Sequence, residues 1–70
     1  MDNLRWELRA MGLGGYTTTE DGFDVWVSWS GRVKITWLPG LQFYLVDPYP
    51  DTLRMGQTAR DAAEKATLYK

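Results

Sequence analysis

No cysteine and no histidine occur among the 70 residues. Without thiols there can be no disulfide staple, thiolate metal site or sulfur nucleophile. Without imidazole the commonest metal ligand and the proton carrier that works near neutral pH are also missing. No apolar run approaches the roughly 20 residues of a membrane-spanning helix. The opening Met1, Asp2, Asn3 lacks the cationic start and apolar stretch of a signal peptide, so a cytoplasmic location away from membranes is expected. Neither sign of charge dominates: eight basic residues stand against nine acidic ones, a net charge of −1. No global field therefore steers the chain onto nucleic acid or an anionic bilayer. What the chain has is aromatic surface. Four Trp, four Tyr and two Phe supply the packing on which a single domain spanning residues 1–70 must rely, because a core of this size buries only ~60% of the unfolded surface.

Leu4, Leu8 and Met11 recur at helical spacing behind Asp2 or Asn3, either of which can cap a first turn. Gly12 fits the left-handed position that ends a helix, with Leu13 folding back on Leu8. Gly14 and Gly15 extend the break. A phosphate-binding loop would need a strand before these glycines and a helix after them, the reverse of the order here.

Alternation then takes over. Tyr16 to Glu20, the turn pair Asp21-Gly22 and Phe23 to Val27 read as a hairpin that sets Tyr16 beside Val27 and Thr18 beside Val25. For the next turn, a loop of Trp29, Ser30 and Gly31 with Gly31 left-handed pairs Val27 with Val33, Val25 with Ile35 and Phe23 with Trp37. That register gathers the aliphatic residues on one side, whereas pairing Val27 with Lys34 and Trp26 with Ile35 mixes core and solvent. The expected outer face carries Trp26 among Asp24, Ser28, Arg32, Lys34 and Thr36, with the Lys34 stem against the indole. Truncating Trp26 is then expected to cost binding and not stability, and truncating Trp37 the reverse.

Pro39-Gly40 suits a type II turn. A fourth strand over about Gln42 to Asp47 is apolar on both faces, which leaves its register open. Asp47-Pro48-Tyr49-Pro50-Asp51 cannot continue a ladder and reads as a rigid connector presenting Tyr49. Thr58 caps a last helix whose Ala59, Ala62, Ala63 and Ala66 form a small-residue face, with Asp61 spaced to pair with Lys65.

Catalysis is poorly supplied. Ser28 and Ser30 have no conventional base near them in sequence, and Glu20, Asp21, Asp47 and Asp51 sit in turns and a proline-bounded loop where carboxylates are ordinarily solvated. No spacing matches a calcium loop. The expectation is a protein that is not an enzyme and uses no cofactor and no metal.

The order of helix, antiparallel strands and helix resembles the double-stranded-RNA-binding domain family. The resemblance is carried by Phe23, Val25, Val27, Gly31, Arg32 and Val33 in the hairpin and by Gly56, Thr58, Ala62, Ala63 and Ala66 at the end. It implies an αβββα topology and RNA binding. At the start of the last helix, where that family carries lysines, this chain has Ala59, Arg60 and Ala63. Leu38-Pro39-Gly40 with Gly56, Thr58, Ala62 and Ala66 is fainter in its likeness to HicB-type antitoxins, whose Gly-x-Thr helix closes a small sheet.

The combined reading is an α+β fold, an antiparallel meander of about four strands flanked by an N-terminal and a C-terminal helix. The expected function is non-catalytic binding of another protein through Trp26, Arg32, Lys34, Trp29 and Tyr49, in the manner of small phage or mobile-element accessory proteins that bind and inhibit a host or defence protein. A second reading uses the Trp26, Arg32, Lys34 face to bind nucleic acid. Self-association is left open.

Overall fold

A computed structural model describes residues 2–47, 55–56 and 58–69. Helix α1 (Asp2–Ala10) is followed by five strands, β1 (Gly15–Glu20), β2 (Phe23–Ser28), β3 (Lys34–Leu38), β4 (Phe43–Asp47) and β5 (Met55–Gly56). Helix α2 (Ala59–Ala66) and a 3-10 turn (Thr67–Tyr69) complete the order. The strands form one antiparallel sheet in sequence order, so the α+β meander between two helices is present, extended by the short β5 pairing on β4. Both helices lie on the same face of the sheet, where Leu4, Leu8, Ala62, Ala63 and Ala66 share a core with Trp26, Val33, Ile35 and Val46.

The ends of α1 and the start of α2 follow local rules. Gly12 adopts φ +80°, its N–H donates to Arg9 O at 3.0 Å and the Leu13 N–H donates to Leu8 O at 2.8 Å. This is the paired bonding of a Schellman ending, and Leu13 is buried beside Leu8. Thr58 Oγ1 accepts the Asp61 N–H at 3.0 Å, and the Asp61 carboxylate receives the Lys65 ammonium at 2.8 Å.

The first hairpin has the expected register, Tyr16 opposite Val27 and Thr18 opposite Val25. Asp21 and Gly22 both have positive φ, 53° and 85°, the requirement of a type I′ turn. The second hairpin does not. Val27 stands opposite Lys34, Trp26 opposite Ile35 and Val25 opposite Thr36, so the expected pairs Val27–Val33, Val25–Ile35 and Phe23–Trp37 do not form. The cause lies in the turn. Ser28 O accepts the Gly31 N–H at 2.9 Å, and the buried Ser28 Oγ takes the Val33 N–H at 3.1 Å, which closes a four-residue loop in place of the expected three. Gly31 still provides the left-handed residue, at φ +75°.

That shift of one residue exchanges the faces. Trp26, placed by its sequence surroundings on the outside, is 2% exposed at the centre of the core. Trp37 lies on this helix-facing side as well, its ring 4.6 Å from that of Tyr44, while Phe23 is on the opposite face and exposed. Lys34 cannot stack on Trp26, because the two project to opposite sides. Its ammonium instead reaches Glu20 at 3.1 Å. Lys34 is opposite Val27 and Glu20 opposite Phe23, so the bridge runs diagonally across the open face over the row of Val25. Val25 is 1% exposed although it lies on the face away from both described helices.

Strand β4 settles its open register by turning Val46 inward opposite Ile35 and Tyr44 opposite Trp37. The Pro39-Gly40 turn closes by a Leu41 N–H to Leu38 O bond of 3.2 Å, but the left-handed residue is Gln42 (φ 55°) and not Gly40, so it is not the expected type II turn. The connector holding Pro48, Tyr49 and Pro50 lies outside the described residues.

Trp26→Ala should remove ~3–5 kcal/mol, the cost of truncating a buried aromatic, from a domain whose total is on the order of 4–10 kcal/mol. Gly31→Val should cost less, about 1–3 kcal/mol, because a β-carbon there meets nothing within 4 Å and only backbone strain opposes it. Chemical denaturation of both variants checks the order. A separate expectation concerns pH. Burial raises the Tyr44 hydroxyl above its ordinary pKa by disfavouring the phenolate. The fold therefore holds the proton where the unfolded chain releases it; this contribution is whole below about pH 10 and is lost as pH rises through the higher folded value. Denaturation midpoints of the parent should fall more steeply above that pH than those of Tyr44→Phe.

Candidate functional site

The five residues expected to bind a partner do not form one surface. Trp26 is core, Lys34 is tied to Glu20 on the open sheet face, Arg32 is exposed in the β2–β3 turn, and Tyr49 lies outside the described residues. Of the four that are described, Trp29 alone is both exposed, at 72%, and surrounded by residues of related chemistry.

Its position follows from the glycines after α1. The Trp29 N–H donates to Gly14 O at 3.0 Å, extending the β1–β2 ladder by one pair beyond the strands. A β-carbon on Gly14 would stand 2.8 Å from Cδ1 of Trp29, and one on Gly15 would stand 2.6 Å from Cε2 of Trp26 and strike the Val27 carbonyl oxygen. Two consecutive glycines thus seat two indoles, one turned into the core and one left at the surface. Tyr16 packs against Trp29 with ring centroids 5.5 Å apart.

Helix α1 brings cations to the same corner. Arg5 and Arg9, one turn apart, line a cleft with Gly14, Gly15 and Trp29, and Trp26 forms part of its wall. Arg9 also lies 5.8 Å from the ring centre of Trp6, which is 69% exposed. Neither arginine forms an ion pair with any described residue. The corner therefore offers two guanidinium groups, able to hold a carboxylate or phosphate through paired hydrogen bonds, beside three exposed aromatic rings. Among the described residues no three acidic side chains converge in a way that could hold a metal ion, and no helix is long and apolar enough to cross a membrane.

Sequence reasoning missed Arg5, Trp6 and Arg9. Their signal was available: at helical spacing they lie away from the Leu4–Leu8 stripe, and a tryptophan on the polar side of an amphipathic helix is not needed for the core. Compared with known protein families, curated proteins and solved structures, the chain matches none.

Gly14→Ala should dislodge the Trp29 indole, seen as a change in tryptophan fluorescence or in the near-ultraviolet circular dichroism of the Tyr16–Trp29 pair, with little loss of stability because Trp29 is largely solvated. Gly15→Ala should lower the melting temperature sharply, since its β-carbon meets backbone and a buried ring. Equal effects of the two substitutions would show that the glycines do not divide the roles in this way.

Proposed function

We propose that the protein is a non-catalytic binding module whose partner is another protein, and that the corner formed by Trp29, Tyr16, Trp6, Arg5 and Arg9 makes the contact. The reading extends to the class expected from the sequence, a small cytoplasmic accessory protein of a phage or mobile element that engages and inhibits a host or defence protein. The observation that carries it is Trp29, an exposed indole packed on Gly14 and Tyr16 next to two arginines that have no acidic partner among the described residues. Tryptophan, tyrosine and arginine are the residue types that dominate binding energy at protein interfaces, and a side chain already held in place loses little entropy on docking.

The same residues favour a second reading. Exposed rings flanked by guanidinium groups also suit stacked bases and phosphates, and the corner replaces the Trp26, Arg32, Lys34 face as the place where nucleic acid would sit. The two readings separate by salt. Two arginines neutralising phosphates of a single strand give a slope of about −1.4 in log affinity against log salt concentration, whereas an interface dominated by buried apolar surface responds weakly.

Affinity capture with the tagged parent, identification by mass spectrometry and titration of the purified partner test the proposal. Trp29→Ala is expected to weaken that complex by roughly 30-fold or more, the scale of an interface hot spot, with melting unchanged. A partner that binds Trp29→Ala and the Arg5→Ala/Arg9→Ala double variant as well as the parent would remove the corner from the interface. A specific complex with RNA or DNA whose affinity falls with salt at that slope would overturn the reading itself.

A further inference from the structure

We infer that the free edge of β1 pairs with the same edge of a second copy of this chain, joining two sheets into one across a two-fold axis at Thr17. The joint shares Arg5 and Arg9 with the proposed contact corner but is centred on Thr17, so substitution at Thr17 tests it separately from that reading.

The sheet ends at β1, whose neighbour on one side is β2 and on the other nothing among the described residues. Which of its backbone groups face outward follows from two observations. The Trp29 N–H bonds to Gly14 O, and Gly14 and Trp29 continue the register of Gly15 opposite Ser28. In an antiparallel ladder hydrogen-bonded and non-hydrogen-bonded pairs alternate, so Tyr16, Thr18 and Glu20 exchange bonds with β2. The two-residue turn Asp21-Gly22 requires the same phase, since Glu20 and Phe23 must close it as a bonded pair. The N–H and C=O groups of Gly15, Thr17 and Thr19 therefore point away from the sheet.

These three residues are self-complementary. With Thr17 opposite Thr17 of the second copy, Gly15 falls opposite Thr19 and Thr19 opposite Gly15, and every outward N–H meets an outward C=O. Natural edges are ordinarily protected by lysine, proline, a bulge or an inward charge. The sequence from Gly15 to Glu20 contains no lysine or proline, has three successive threonines suited to strand conformation, and carries its single charge, Glu20, already paired with Lys34. Thr17, Thr18 and Thr19 are all exposed, so neither helix blocks the approach.

Charge placement supports this occupant. Asp24 stands opposite Thr19 on the helix-facing side of its own sheet. In the paired arrangement Thr19 of the second copy sits beside Gly15, which brings Asp24 of that copy two strand spacings, ~10 Å, from Gly15. It arrives on the side lined by Arg5 and Arg9, which have no acidic partner among the described residues. The two Glu20 residues lie at opposite ends of the joint and do not oppose each other. Because the contact uses the same patch on both copies it closes at a dimer.

Sedimentation across micromolar to millimolar concentrations should show a monomer–dimer equilibrium. In the parent, amide exchange at Gly15, Thr17 and Thr19 should slow as concentration rises, while that at Tyr16 and Thr18 stays constant; this readout needs no variant. Thr17→Lys and Thr17→Glu each place like charges on the axis and should be monomeric throughout, with an equimolar mixture of the two restoring a dimer. A parent that remains monomeric at millimolar concentration, a dimer that survives both substitutions, or exchange that slows at other residues would each overturn the inference.

Discussion

The indole of Trp26 lies so close to Gly15 that no β-carbon fits between them, and much of the molecule is arranged around that contact. A tryptophan brings more area into a small core than any aliphatic residue here, and a domain of this length has little other surface to bury. Seating it inward fixes which face of β2 looks at the helices and places Ile35 and Val46 on the same side. Through the shared turn it also makes Ser28 a buried residue whose hydroxyl satisfies the Val33 N–H. A side chain of any size at Gly15 would push the ring away and leave the two helices without their common floor.

The consequence for the other face is an apolar stretch of β2, Phe23, Val25 and Val27, that no described helix packs against. Val25 is buried on that face, and the Lys34–Glu20 bridge joins the rows on either side of it. Exposed pairs of this kind are worth ~0–1 kcal/mol as electrostatics, so the bridge adds little to the stability of the sheet. Both faces of β2 are thus buried near its middle, for different reasons.

The corner proposed for binding lies where the core ends. Gly14 and Gly15 are adjacent, yet one supports the buried tryptophan and the other the exposed one, so the same short segment sets the floor of the core and the aromatic corner beside Arg5 and Arg9. Mutations that disturb the core at Gly15 would disturb that corner as well, whereas changes at Trp29 touch it alone.

Where bonding is local, the sequence was sufficient. The Schellman ending at Gly12 and Leu13, the Thr58 cap, the Asp21-Gly22 turn and the register of the first hairpin depend on residues a few positions apart, and their geometry restricts the alternatives to one. The class of fold followed from the order of those elements. The second hairpin was not legible because β2 offers apolar residues to both faces, Val25 and Val27 on one and Trp26 on the other: alternation placed the two valines inward and Trp26 outward, and the competing register looked mixed only because it sets the solvated Lys34 beside Val27. Only the tertiary structure could decide it, since the deciding terms are the space above Gly15, the bond from Val33 to the Ser28 hydroxyl and the reach of Lys34 to Glu20. Each of these joins residues from different elements. The aromatic corner was hidden for the same reason. Trp29, Gly14 and Arg9 come together only after helix, strand and turn have packed, and nothing in their local sequence announces the meeting.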